Sequence, residues 1–204
     1  MQKSFQKITL AALFVLATCS LSAQSFGVRA GGVSSTVKFE AAGADLDIKG
    51  ATNLALGLFV ELPIGDVLSI QPELNYMGRG FTQELPGDDV KTRFAYVDLG
   101  ALVKLRFGSD SPVGFYVGAG PYYSYLLSGK IGDDELDFDN NGRDTNRGDF
   151  SVAGAAGVTF GGDLRFFGEA RYIYGLNNLS DLDGVTINNR TVMITGGVMV
   201  PFGG

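Results

Sequence analysis

No histidine occurs in the 204 residues, which closes three common routes to chemistry: a Ser-His-Asp triad, imidazole metal ligation and imidazole acid–base catalysis. The single cysteine, Cys19, sits in an N-terminal apolar stretch and supplies neither staple nor nucleophile once that stretch is removed. Carboxylates remain. Glu73, Asp98 and Glu169 could in principle act as an acid–base pair, but each stands among basic residues, and structural ion pairing accounts for them better. Gly118-Ala119-Gly120 lacks both the lysine and the following helix that a phosphate-binding loop uses. The residues therefore give no support for an enzyme.

One segment has the spacing of a cation loop. Asp137-Phe138-Asp139-Asn140-Asn141-Gly142 places oxygen donors at alternate positions before a glycine, the opening of a calcium loop, with Asp137, Asp139 and Asn141 as the candidate ligands. The twelfth position is Gly148, where a bidentate glutamate belongs. A solvated acidic loop is thus the expectation, calcium the alternative, and no other cofactor is implied. Of the 22 acidic residues, 14 fall in four such polar segments, where solubility and repulsion of neighbours are the expectation, and a cation-bridged contact with lipopolysaccharide or a receptor surface for a basic partner the alternatives.

The chain begins as an export signal would. Lys3 and Lys7 precede an apolar run from Ile8 to Ala17, and Ser22-Ala23 suits a signal-peptidase site, so residues 1–23 are expected to be removed and residues 24–204 to form one domain. Leu16-Ala17-Thr18-Cys19 resembles a lipobox, although threonine is a poor residue before a lipid-bearing cysteine. A permanent membrane helix needs roughly 20 apolar residues, more than this run supplies. Cleavage takes the 16 basic residues to 14 against 22 acidic ones, moving the formal charge from -6 to -8, so neither nucleic acid nor anionic lipid is an expected partner.

The elements that must position the charged residues are strands. Thirty glycines, 15 phenylalanines and 8 tyrosines favour strands and turns, and apolar residues alternate with polar or small ones at period two. Leu54, Leu56, Leu58, Val60 and Leu62 oppose Asn53, Ala55, Gly57 and Glu61. Leu68, Ile70, Leu74 and Tyr76 oppose Ser69, Gln71, Glu73, Asn75 and Arg79. Ala95, Val97, Leu99, Ala101, Val103, Leu105 and Phe107 oppose Tyr96, Asp98, Gly100, Lys104 and Arg106. Less regular runs at 25–37, 114–128, 149–160, 164–176 and 190–202 bring the total to eight, several long enough for the roughly 9 to 11 residues of a tilted membrane strand.

The connections are sorted by length. Residues 62–66, 108–113 and 161–163 are short turns, whereas 38–51, 81–91, 129–148 and 177–189 are longer polar segments. Strands running up and down put every short turn at one end and every long loop at the other, as in membrane barrels with periplasmic turns and external loops. A soluble sandwich has no reason to sort them.

Nine charges share the polar phase: Arg29, Glu61, Glu73, Arg79, Asp98, Lys104, Arg106, Glu169 and Arg171. Charge is expensive in hydrocarbon, so on a spanning barrel these groups must face the lumen and pair there. Eight strands enclose a space that side chains about fill, so the expectation is a packed polar lumen, with glycines of that phase making room for the arginines. Tyr76, Tyr123, Tyr125, Tyr172, Tyr174 and Phe202 lie on the outward phase, where aromatic girdles sit.

These residues also carry a resemblance. Gln71-Pro72-Glu73-Leu74-Asn75-Tyr76, Tyr96-Val97-Asp98-Leu99 leading to Lys104, Gly114 to Pro121 with Tyr125-Leu126-Leu127, and Ala170-Arg171-Tyr172 with Gly175-Leu176 resemble the outer-membrane β-barrel domain family, the porin-like or PorT-like small bacterial outer-membrane proteins. The likeness spans nearly the whole chain after residue 23. It implies an eight-stranded antiparallel up-and-down barrel with acidic and basic side chains inward. Asp98 departs from an expected glutamate, and Pro201-Phe202-Gly203-Gly204 departs from an aromatic last residue.

The combined expectation is a monomeric transmembrane β-barrel of the Gram-negative cell envelope, contacting outer-membrane lipid and serving a structural or surface-interaction role with an unnamed external partner. Two alternatives are a narrow porin-like channel for small solutes and a soluble periplasmic barrel that holds an apolar ligand with its faces inverted.

Overall fold

The computed structural model describes residues 24–41, 44–48, 52–84, 89–108, 111–132, 134–135, 147–176 and 185–202. The export signal expected at residues 1–23 lies outside them. Among the described residues eight strands build the wall: β1 (Gln24–Ala41), β2 (Thr52–Ile64), β3 (Leu68–Glu84), β4 (Asp89–Phe107), β5 (Val113–Ile131), β6 (Gly148–Gly161), β7 (Arg165–Gly175) and β8 (Val185–Phe202). Each pairs antiparallel with its sequence neighbours, and β1 closes on β8 from Gln24↔Phe202 to Ala41↔Val185. Closure matters physically because hydrocarbon offers no partner to an open edge.

The turns between β2 and β3, β4 and β5, and β6 and β7 are short, and they share one end of the barrel with Gln24 and Phe202. Gly65 and Gly161 open two of them with φ of 72° and 120°, the left-handed region that other residues avoid. The long connections leave from the opposite end, as the sorted lengths predict.

That end differs from expectation in one respect. Segments read as loops are partly strand: β3 and β4 stay paired out to Glu84↔Asp89, the outer part of β1 pairs with both β8 and a short strand at Ala44–Ile48, and Asp134–Glu135 pairs with the end of β5. Hairpins that rise past the bilayer have water on both faces, so the apolar alternation that reveals a strand fades although the ladder continues.

Side chains divide as the alternation requires. Leu56, Leu58, Leu74, Leu99, Val103, Val152 and Ile194 are exposed on the outer surface, Leu99 at 60% and Ile194 at 65%. Residues one position away on the same strands, Asn75, Asp98, Lys104, Ser151 and Thr195, are buried. Leu62, beside the first turn, is buried and departs from this pattern. An apolar exterior over a polar interior reverses a soluble protein and suits a wall bathed in acyl chains. Aromatic residues edge the exterior: Phe107, Phe115, Phe160, Phe166 and Phe202 toward the short turns, and Tyr76, Tyr123, Tyr125 and Tyr172 toward the long loops.

In β5 the register against β4 steps from Ala95↔Ser128 to Tyr96↔Leu126, so Leu127 is bulged out. Beyond it the lumenal phase passes from Tyr122 and Ser124 to Gly129.

Candidate functional site

All nine charges assigned to the polar phase do line the lumen. Eight of these residues are buried, and Arg106, nearest the short turns, keeps 18% of its side chain exposed. Period-two alternation places them inward, and their positions along the strands sort them into groups at different depths.

The central group is built on Glu73 from β3. Its carboxylate accepts from Arg29 Nη2 at 3.1 Å, Gln71 Nε2 at 2.7 Å and Asn75 Nδ2 at 2.7 Å, and also from Arg171 and the Tyr122 hydroxyl. Glu169 from β7 is the second anion, accepting from Arg29 Nη1 at 2.9 Å, Arg171 Nη2 at 2.7 Å and the Tyr116 hydroxyl at 2.8 Å. Two arginines and two glutamates thus alternate around a ring that joins β1, β3 and β7. Arg29 also rests 4.6 Å over the Phe59 ring, which itself packs edge-on against Phe167. Burial of this kind is tolerated only because each charge meets opposite charge and further hydrogen bonds.

Glycine makes the room. A Cβ on Gly57 would lie 3.0 Å from Arg29 Cγ, and one on Gly157 would lie 2.3 Å from Tyr116 Cζ. The arginine stem and the tyrosine ring occupy space that side chains at those positions would claim.

Toward the short turns, Lys104 Nζ donates to Glu61 Oε2 at 2.6 Å and to Gln71 Oε1 at 2.9 Å, while sitting 3.8 Å from the Tyr116 ring centre. Ser69 Oγ donates to Glu61 at 3.3 Å, and Arg106 lies 3.6 Å from the same glutamate while donating to the Gly65 carbonyl at 3.2 Å. Below this group a cavity of about 440 Å³ opens at the short-turn end, lined in part by Glu61, Lys104, Arg106, Tyr116, Thr159 and Arg165.

Toward the long loops the lumen is not uniformly polar, which corrects the expectation of a polar core throughout. Val33, Met77, Leu102, Ala153, Ile173 and Met193 are buried together. On β1, β3 and β7 they follow the central charges: Val33 after Arg29, Met77 after Glu73, Ile173 after Arg171. Further along β3 stands Arg79, which donates to Asp98 Oδ2 at 2.7 Å and Ser124 Oγ at 3.0 Å and stacks 4.5 Å from the Tyr96 ring centre. Asp149 is buried nearby on β6, two strands from Asp98 through the register Asp98↔Ser124↔Asp149.

Sequence reading missed three contributors that the alternation already marked. Tyr116 and Tyr122 oppose the outward Phe115, Val117 and Tyr123, and Asp149 opposes the outward Phe150. With Asp149, the lumenal groups named from the sequence come to five anions and five cations, and Arg165 stands beside them at the short-turn cavity. The proposed calcium ligands Asp137, Asp139 and Asn141 lie outside the described residues.

Among the described residues the lumenal charges are held largely in pairs, and the hydroxyls that meet their carboxylates, those of Ser69, Tyr116 and Tyr122, are buried hydrogen-bond donors. Such an arrangement resembles a plug more than a reaction centre.

The profile of the outer membrane protein β-barrel domain matches residues 22–181. Among solved structures, the fold is similar to Neisserial surface protein A, with a TM-score of 0.52, 19% identity, and 87% of this chain and 97% of that one covered. It is likewise similar to the outer membrane protein OprG from Pseudomonas aeruginosa, with a TM-score of 0.53, 15% identity, and coverage of 91% and 99%. At these identities the two likenesses speak to the fold. No curated protein sequence matches the chain. The outward apolar wall, the inward charges and the matched profile agree: the chain belongs to the outer membrane protein β-barrel domain family, and its place is the bacterial outer membrane.

Proposed function

We propose that the chain is a membrane-embedded structural or surface-interaction protein, that its lumen does not conduct, and that its long loops face the exterior while its short turns face the periplasm. The carrying observation is the ring of Arg29, Glu73, Arg171 and Glu169, whose side chains are at most 1% exposed across the middle of the lumen. The apolar cluster with Met77 and Met193 backs it, and both of these residues are fully buried. A solute crossing this stack must separate four paired charges in a medium of low dielectric, which costs more than a leak can draw on.

The role is non-catalytic in this reading. The sequence has no histidine, and the buried glutamates are committed to arginine or lysine. The acidic segments at the long-loop end present the surface a partner or a neighbouring molecule meets, and the barrel holds them in place.

Planar-bilayer recording of the purified protein tests the reading. Background conductance is expected for the native chain. A steady single-channel current would overturn it and favour the narrow channel. Protease added to intact cells should cut in the long-loop segments, and protection of all of them would reverse the orientation.

A further inference from the structure

Two carboxylates toward the long loops stand outside the pairing that closes the rest of the lumen. In the central ring and the group below it, both oxygens of Glu73, Glu169 and Glu61 accept hydrogen bonds. Among the described residues the buried carboxylate oxygens with no hydrogen-bond partner are Asp98 Oδ1 and Asp149 Oδ1. A neutral group joins them: Ser151 Oγ, on the same face of β6 as Asp149, is also buried and without a partner. Asp98, Ser151 and Asp149 are 0%, 4% and 8% exposed, so bulk water does not serve these atoms. A buried polar atom left unpaired is costly, and three side by side call for a shared partner.

The register brings them together. Asp98 on β4, Ser124 on β5 and Asp149 on β6 stand level across three neighbouring strands, and Ser151 is the next inward residue of β6. Strands ~4.8 Å apart set the backbones of Asp98 and Asp149 about 10 Å apart, and inward side chains of a closed wall converge from there. Tyr122, the neighbour of Ser151 on β5, is turned away: its ring lies over Gly100 on β4 and its hydroxyl reaches Glu73 in the central ring. Gly175, the neighbour of Ser151 on β7, has no side chain.

Charge and donor type narrow the partner. Arg79 is the cation that bears on both acids, and its Nη2 is spent on Asp98 Oδ2 and Ser124 Oγ. One guanidinium against two carboxylates leaves one negative charge uncompensated. A donor set of oxygen alone suits a hard cation. No group of three acids comes together among the described residues, so one positive charge, and not two, restores the balance.

We propose that Asp98 Oδ1, Asp149 Oδ1 and Ser151 Oγ hold a singly charged alkali cation, which ties β4 to β6 on the long-loop side of the apolar layer. Leu102 and Ala153 of that layer follow Asp98 and Ser151 along the same strands, so the ion enters from the long-loop end and does not cross the plug. The site thus goes beyond the plug reading, and its test reads binding and not conductance.

The full chain, folded in zwitterionic detergent, is titrated with sodium chloride in place of tetramethylammonium chloride at constant ionic strength. Sodium-23 relaxation reads binding, and the thermal unfolding midpoint, followed by tyrosine fluorescence, reads stabilisation of the native state. Sodium should bind and raise the midpoint, whereas tetramethylammonium, too bulky for three converging oxygens, should not. Asp149→Asn keeps shape and leaves every acid of the long segments in place. It should weaken sodium binding by about tenfold or more, because it removes one of two charges at contact distance. Ser151→Ala removes the neutral ligand alone and should weaken it by about fivefold, the worth of one neutral polar contact. Both variants are first shown to be folded by their heat-dependent gel mobility. Undiminished sodium affinity in either variant overturns the proposal. So does a native chain on which the two cations act alike, the result expected if water or a shared proton satisfies these oxygens and the acidic segments attract cations only diffusely.

Discussion

Glu73→Gln is the sharpest perturbation of the lumen. The substitution keeps shape and volume but removes one negative charge from a group whose side chain has no exposure and which faces both Arg29 and Arg171. Glu169 then remains as the one anion bonded to two guanidinium groups. Removing one partner of a buried ion pair typically costs about 3–5 kcal/mol because the remaining charge stays buried. The new amide nitrogen also points at least one donor toward donors, since Gln71, Asn75 and Tyr122 all donate to Glu73 now. A loss at the upper end of that range is therefore expected. Urea unfolding of the protein in lipid vesicles, followed by tyrosine fluorescence, measures it. Pairing Glu73→Gln with Arg171→Gln restores the balance of charge, so the double variant should be less destabilised than the sum of the two single changes. A loss below about 1 kcal/mol for Glu73→Gln would refute the reasoning, because it would mean that water reaches the ring and screens it.

Three further outcomes follow from the same geometry. Gly157→Ala places a methyl against the Tyr116 ring and should cost about 1–3 kcal/mol by overpacking, whereas Gly154→Ala, three residues away on the outer face with nothing within 4 Å of its added carbon, should be close to neutral in the same unfolding assay. Val103→Arg, at an outward position exposed by 51% and four residues from Phe107, near the middle of the apolar band, should cost about 2–4 kcal/mol in vesicles, and a neutral result would count against lipid contact there. Removing both Arg29 and Arg171 as alanines empties the middle of the plug, so planar-bilayer current should rise above that of the native chain once folding is verified by gel mobility.

Several of these positions could be named before any coordinates because alternation fixes phase. Leu54 to Val60 and Leu68 to Arg79 each tell inside from outside residue by residue, and the sorting of short turns from long segments fixes which ends meet. Phase carries no information about depth, however. That Glu73 would meet Arg171, 98 residues away, and not a nearer cation depends on the tilt and stagger of the closed wall. The apolar layer of Val33, Met77, Ile173 and Met193 was hidden for a related reason: an apolar residue on the polar phase reads as an irregularity until its neighbours across the lumen are known. The hairpin extension at Glu84↔Asp89 was illegible because Phe81 and Val90 are the only apolar residues among 81–84 and 89–92, too few to mark a period. Asp149, Tyr116 and Tyr122 were legible in phase, but their strands alternate less regularly because Gly, Ala and Ser fill many of the inward positions.

The central claim is that the apolar side of each strand meets lipid while the charges close on one another within. Because the chain contains no tryptophan, a single Val103→Trp substitution is a sole indole reporter at an outward position exposed by 51%. In vesicles that include brominated phospholipids, its fluorescence should be strongly quenched and its emission should fall in the blue range of an apolar environment. Emission typical of water, or of a protein interior that brominated chains fail to quench, would contradict the account.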